Sequence, residues 1–295
     1  MSDEGAGAIH TPDPSAESVL ASIASGAAGQ IGAENFPVAL RLLPRRPRAH
    51  LARVYAFARF VDDVGDRAPG DRLALLDRVD AELRGLPAAT ATLPPVAGLQ
   101  PVVDECAVPI ELFLDLVEAN RVDQVTTRYE TFDALLGYCA LSAAPVGRIV
   151  LHIAGAATDQ NIADSDAVCA ALQVFEHCQD VGEDATAGRI YLPHTELRAA
   201  GVTDQELLGA ETSAALRAVV ATQVDRSAGM LAAGRPLVRR LKGWSRVAVA
   251  GYVAGGLATA DALRASGYDV LARQVAPRKS RTAVHTVRVM VGGRT

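Results

Sequence analysis

The 295-residue sequence predicts an all-α protein, a single-domain helical bundle around a central cavity. Three observations predict it. Hydrophobic residues make up 49% and aromatics only 4%, with Ala and Leu abundant, a mixture that suits helices better than β-sheets, which want β-branched and aromatic residues. Polar residues recur at helical steps on otherwise apolar segments: Tyr55, Arg59, Asp62 and Asp66 in one place, Gln173, Glu176, Asp180 and Asp184 in another. No strand alternation and no internal repeat stands out.

Along the chain, residues 1–30 read as a disordered leader. They are rich in Ala, Gly, Ser and acid, and lack the basic start and continuous apolar core of a signal peptide. The all-α domain is expected over 31–272. Pro44 and Pro47 break its first apolar segment, and a long helix follows over 48–65. A second helix over 71–83 ends in Arg84-Gly85-Leu86-Pro87. The four prolines of 87–101 make that stretch a loop, though not a domain boundary, because the two acidic stripes lie on opposite sides of it. Further helices are expected over 103–105, 110–122, 131–156, 164–181, 204–241 with internal breaks, and 245–266. Pro145, beside Gly147, should kink the third of these. Gly182, Gly188 and Pro193 mark a loop after the second acidic stripe. The nearly apolar run 247–260 is shorter than the ~20 residues a membrane-spanning helix needs and reads as a core helix.

The tail, 273–295, differs from the rest. No acidic residue follows Asp269, while Arg273, Arg278, Lys279, Arg281, Arg288 and Arg294 accumulate. One reading is a frayed, solvated terminus. The other is peripheral contact with anionic lipid headgroups, near ~1 kcal/mol per basic residue at the surface.

Bulk properties exclude some functions. A net charge of −5 and the lack of a basic patch with interleaved aromatics argue against nucleic-acid binding. Cys106, Cys139, Cys169 and Cys178 form no C-x-x-C pair and lack zinc-site spacing, so free thiols in a reducing cytoplasm are expected. No Gly-rich dinucleotide fingerprint is present, and no nicotinamide cofactor is expected. His177 lies beside its stripe rather than on it, and His152 and His194 read as a core and a loop residue.

The stripes carry the chemistry. Two carboxylates about 6 Å apart repel by roughly 3 kcal/mol at an effective dielectric near 20, so a cavity lined by five or six of them needs protons or a cation. Oxygen ligands without histidine or cysteine favour Mg²⁺, with Mn²⁺ as its substitute, over zinc or copper. Mg²⁺ is usually held by one or two carboxylates with substrate phosphates completing its shell, which points to a diphosphate carried on metal ions.

Several segments, taken together, resemble the squalene/phytoene synthase family. They are Glu34-Asn35-Phe36-Pro37-Val38-Ala39, the run from Tyr55 through Arg59 to Asp62-Asp63-Val64-Gly65-Asp66, and Tyr129 to Tyr138 with the Ala144-Pro145-Val146-Gly147 kink. The likeness continues in the run from Gln173 through Glu176 and Gln179-Asp180 to Asp184, and in Gly188-Arg189-Ile190-Tyr191-Leu192-Pro193. The resemblance runs from Glu34 to Gly267-Tyr268-Asp269-Val270. It implies the isoprenoid-synthase fold, with Mg²⁺ bridging both acidic motifs to a prenyl diphosphate. By position it makes Asp62, Asp63, Asp66, Asp180 and Asp184 metal ligands, and Arg59 and Arg189 partners of phosphate oxygens. Tyr55, Gln173 and Tyr191 would line the reaction pocket.

Departures from the family pattern select a branch. Many members have Asn where Glu176 stands, and a carboxylate there could itself join the metal ligands. Many have Arg where this chain has Gln179, and Tyr where it has Leu141. The Glu-Asn-Phe-Pro-Val start, the Gln-Asp pair and the Gly-Tyr-Asp-Val ending most resemble the bacterial hopanoid-pathway branch, in which presqualene diphosphate is ionised, rearranged and quenched by water to hydroxysqualene. Head-to-head condensation of two prenyl diphosphates to presqualene diphosphate, squalene or phytoene is the alternative. A non-catalytic scaffold binding other pathway enzymes is an alternative of another class. The expected location is cytoplasmic, or peripheral at the inner face of the membrane.

Overall fold

The computed structural model describes residues 14–30 and 43–292. Helices follow one another in the order α1 (Pro14–Gln30), α2 (Arg45–Arg67), α3 (Arg72–Gly85), α4 (Glu111–Val125), α5 (Phe132–Ser142), α6 (Ala144–Ile153), α7 (Asp159–Gln179), α8 (Val181–Thr186), α9 (Ala214–Gly234), α10 (Gly243–Ala265) and α11 (Lys279–Val291). Short helical turns join them. Among the described residues there is no strand; an isolated parallel bridge pairs Arg128 with Ile190.

Two apolar clusters form the core. The first gathers α1 to α4 and is centred on Phe57, Phe60, Leu76 and Phe113. Phe57 and Phe113 meet edge-on at 5.5 Å, and each buried Phe stabilises the fold by roughly 1.5–3 kcal/mol. The second cluster gathers α5 to α11 around α7, with Val174, Phe175, Leu216, Val220 and Val253 buried. Helix α4 belongs to both, giving Phe113 and Val117 to the first and Ala119 to the second. The seam between the two cores is where polar side chains gather.

Glycines let helices approach on this frame, Gly65 and Gly234 among them. A side-chain carbon at Gly65 would overlap Asn120 of α4, and one at Gly234 would overlap the Asp164 carbonyl of α7. The Gly65 carbonyl also accepts from Gln124 Nε2 at 3.0 Å, which ties α2 to α4.

Several expected boundaries move. Part of the leader expected to be disordered over 1–30 is helical: α1 buries Leu20 completely and Ala24 nearly so, one helical turn apart on a face that packs on the first core. The Glu34 to Ala39 motif lies outside the described residues. The loop expected over 87–101 contains turns at Pro94–Ala97 and Gln100–Cys106, each opened by a proline in its first positions. The helix expected over 131–156 is two helices that change direction at Ala143, with Pro145 in the first turn of α6. The segment from Phe132 to Ile153 is long and apolar enough to span a membrane by length and composition, yet this break falls inside it and 44% of its most apolar window is buried. Helix α7 starts at Asp159, before the expected 164, because Thr158 caps it by accepting from Asn161 N at 3.3 Å. The described part of the tail is not frayed: α11 packs on α10 with Val289 buried, and Arg246 Nη2 donates to the Met290 carbonyl at 2.9 Å.

Candidate active site

Five structural pieces, among them α5 with Tyr138 and Ser142, surround one cavity of about 340 Å³ at the seam between the cores. Helix α2 supplies Asp62 and Asp66, α4 supplies Asn120 and Asp123, α7 supplies Gln173, Glu176 and His177, and the segment beyond it supplies Asp180, Asp184, Arg189 and Tyr191. Carboxylates more than a hundred residues apart thus face one space. The helix breaks at Asp180, whose φ is −104° and ψ 17°, but the Asp184 amide still donates to the Asp180 carbonyl at 2.8 Å. That bond keeps Asp184 in register with the Asp180 and Glu176 row.

The charges are arranged unevenly. Asp62 accepts from Asn120 Nδ2 at 3.3 Å, and Asp66 pairs with Arg189 Nη1 at 3.1 Å across the cavity. Asp62 keeps contact with solvent at the mouth, but the surrounding protein strips much of its hydration and, helped by Asp66 and Asp63, pushes its carboxyl up to about 6; Asn120 and Arg59 oppose this. Burial likewise pushes Asp180 up to about 6, reinforced by the carboxylates of Glu176, Asp184 and Glu183. Such strain on negative charge is what a cation would relieve.

A second network backs the acids. Asp123 accepts from Tyr138 Oη at 2.6 Å and from Tyr191 Oη at 3.1 Å. Burial raises the Asp123 carboxyl, partly offset by those two phenols and Arg189. It raises Tyr138 and Tyr191 as well, so both remain neutral donors at pH 7. The Tyr191 ring stacks on His177 with centroids 3.8 Å apart, and His177 Nε2 lies 3.4 Å from Gln173 Nε2. A mostly apolar pocket of about 220 Å³ adjoins, lined by Val146, Val150, Val168, Leu172, Val249 and Tyr252. Ser142, Gln173 and Glu176 line both spaces.

Of the residues singled out from the sequence, Asp62, Asp66, Gln173, Glu176, Asp180, Asp184, Arg189 and Tyr191 come together here. Asp63, Arg59 and Tyr55 are not among the lining residues. Asp63 is buried and paired with Arg59 at 3.4 Å and Arg67 at 3.2 Å, because adjacent helical residues point about 100° apart and only one of the Asp62-Asp63 pair can face the cavity. Conversely, His177, set aside as beside the stripe, does line the cavity, as do Asn120, Asp123, Tyr138 and Ser142. The signal for two of them was present: Asn120 and Asp123 are three apart on the helical face that follows Leu116.

The donor set suits a hard divalent cation, being carboxylates with hydrogen-bonded support and no cysteine. Among the described residues no three of these groups close a cage around one ion. A pH prediction follows from the two raised acids. In metal-free protein the folded state binds more protons than the unfolded chain between about pH 4 and 6, so this contribution to stability is present at pH 4 and lost as pH rises through 6. Thermal unfolding of the Asp62→Asn/Asp180→Asn double variant should accordingly gain on the parent from pH 4 to pH 7, and Mg²⁺ with diphosphate should raise the parent's Tm but not the variant's.

The chain is similar to known proteins over most of its length. A family model described as Squalene/phytoene synthase matches residues 31–282. The hydroxysqualene synthase of Rhodopseudomonas palustris is 39% identical over 213 residues, covering 71% of this chain and 72% of that protein. The phytoene synthase of Mycobacterium tuberculosis is 32% identical over 214 residues, covering 71% and 70%. The crystal structure of squalene synthase HpnC from Alicyclobacillus acidocaldarius superposes with a TM-score of 0.78 at 38% identity, over 85% of this chain and 96% of that one. A dehydrosqualene synthase in complex with ligand shares the fold, with a TM-score of 0.79 at 22% identity over 94% and 97% of the two chains.

Proposed function

Because the chain belongs to the squalene/phytoene synthase family and brings both acidic stripes to one cavity, we propose that it converts presqualene diphosphate to hydroxysqualene and diphosphate. It is an enzyme of isoprenoid biosynthesis; the reaction within that class is our reading. The observation that carries it is the junction of a carboxylate-lined cavity with an apolar pocket, which fits a substrate with a charged head and a hydrocarbon body.

Asp62, Asp66, Asp180 and Asp184, with Glu176, are the groups that would hold Mg²⁺ or Mn²⁺, and the ions supply charge stabilisation to the leaving diphosphate. Arg189 aims its guanidinium into the same space and would meet phosphate oxygens there. Asn120 holds the Asp62 carboxylate, and Asp123, accepting from two phenols, fixes Tyr138 and Tyr191 against the cavity wall. The carbon–oxygen bond breaks with both electrons leaving on diphosphate. The cyclopropylcarbinyl cation rearranges within apolar walls that keep bulk water out. One water oxygen then forms the new carbon–oxygen bond, and its proton passes to the diphosphate. No nicotinamide reductant enters this balance.

The 39% identity to a hydroxysqualene synthase favours this over head-to-head condensation, which the 32% identity to a phytoene synthase keeps as the second reading. Product analysis by mass spectrometry separates them. With Mg²⁺ and presqualene diphosphate, hydroxysqualene is expected with or without a nicotinamide reductant. Diphosphate release from farnesyl diphosphate alone would support the condensation instead. Full pathway output from variants lacking Asp62 and Asp180 would favour the scaffold reading.

The terminal helix extends the proposal to peripheral membrane contact. Opposite the buried Val289, α11 presents Val284, Val287 and Val291, exposed by 47%, 63% and 81%, with Arg288 and Arg281 along one flank. Arg273, Arg278 and Arg281 line one surface cleft between α10 and α11. Vesicles containing anionic lipid should bind the protein where phosphatidylcholine vesicles do not. Each basic residue replaced by Gln should weaken binding by about fivefold, and Val287→Asp by more. Equal sedimentation of parent and variants with the anionic vesicles would reject the contact.

A further inference from the structure

We propose that Ser142 positions the water that ends the reaction, and so determines that the product is an alcohol. The inference rests on the presqualene diphosphate reading above and names a residue for its last step. Ser142 ends α5, immediately before the chain turns at Ala143 into α6. Its Oγ is buried and bonds to no protein group. A helical serine ordinarily returns its hydroxyl to a carbonyl one turn back, and this one does not. Leaving a buried hydroxyl unpaired is unfavourable, and alanine would fill the position without that penalty.

Its location gives the hydroxyl a use. Among the described residues, only three line both the carboxylate cavity and the apolar pocket: Ser142, Gln173 and Glu176. Of these, Ser142 alone carries a buried polar atom without a partner. A water here would have the Ser142 hydroxyl and the Gln173 amide as partners, with a diphosphate oxygen as the third, which meets the two to four partners a held water needs. The seam is also where a cation formed in the apolar pocket first meets polar groups. The walls of that pocket are mainly aliphatic, with Val150, Val168 and Leu172 among them, and its Ser165 and Tyr252 do not border the carboxylate cavity where the diphosphate would sit. At the seam the water oxygen donates its lone pair to the cationic carbon, a carbon–oxygen bond forms, and the proton goes to the diphosphate. Without a held water the same cation loses a carbon-bound proton to the diphosphate and gives an alkene.

The test is the product ratio from presqualene diphosphate with Mg²⁺, measured for the parent, Ser142→Ala and Ser142→Val, with Tm as the folding control. Substrate consumption should stay within about threefold of the parent, since ionisation depends on the acids and Arg189. The alcohol fraction should fall at least tenfold in both variants, replaced by alkene, and ¹⁸O from labelled water should appear only in the residual alcohol. An unchanged alcohol fraction in a folded variant would overturn the assignment, as would loss of consumption in both folded variants, which would put Ser142 in the ionisation step. Failure of the parent to form any hydroxysqualene would instead remove the underlying reaction reading, so the two failures are distinguishable.

Discussion

Replacing either Asp62 or Asp180 by asparagine should lower turnover of the diphosphate substrate by about 10³-fold without unfolding the protein. The two lie on α2 and just beyond α7, and they meet only across the cavity. Each is already held near 6 by burial and by neighbouring carboxylates, so its ionised form is strained in the metal-free fold. Asparagine keeps the shape, removes the repulsion and removes the charge that we propose holds the metal. Stability above pH 6 should therefore hold or rise while activity is lost, an outcome that separates a functional acid from a structural one. Combining the two should cost little more than either alone, because a site that has lost one side of its cation grip has little left to lose. Steady-state kinetics with thermal unfolding on the same samples checks this. Near-additive small losses would contradict it.

Arg189→Gln should lower kcat/KM by about 10²-fold, with most of the loss in kcat. The guanidinium sits in the cavity with Nη1 on Asp66 and its Nε buried without a partner, so part of its donor capacity is uncommitted. Asp66 is half exposed, and an exposed pair of this kind contributes at most about 1 kcal/mol to stability. The variant should thus fold normally. Inorganic diphosphate should also inhibit it less strongly than the parent. A variant that loses only KM would indicate that Arg189 binds the ground state and the transition state equally.

How far the site was legible follows from its residues. The stripes on α2 and α7 could be read because polar side chains stood out at helical steps against Phe57, Val61, Val174 and Phe175. Asp63 was read as one of them because an acidic triplet looks like a unit in sequence, whereas the helix turns it towards Arg59 and Arg67. Helix α4 gives a weaker contrast, its Asn120–Asp123 step being one polar pair among several. Asp115, Glu118, Asn120, Arg121, Asp123 and Gln124 scatter around it, and only its close approach to α2 at Gly65 selects Asn120 for Asp62. His177 was set aside since it neighbours Glu176, yet stacking on Tyr191 draws it to the cavity. Helix α1 gives little compositional contrast because Ala, Ser and Gly dominate it, and its burial rests on a few apolar residues, Val19, Leu20, Ile23 and Ala24, finding the first core.

Calorimetric titration of inorganic diphosphate into the protein, with Mg²⁺ and again with EDTA, tests the joint grip most directly. The account predicts tight binding that requires Mg²⁺ and is lost in Asp62→Asn and in Asp180→Asn alike. Binding that survives EDTA, or that depends on one of the two aspartates but not the other, would contradict it.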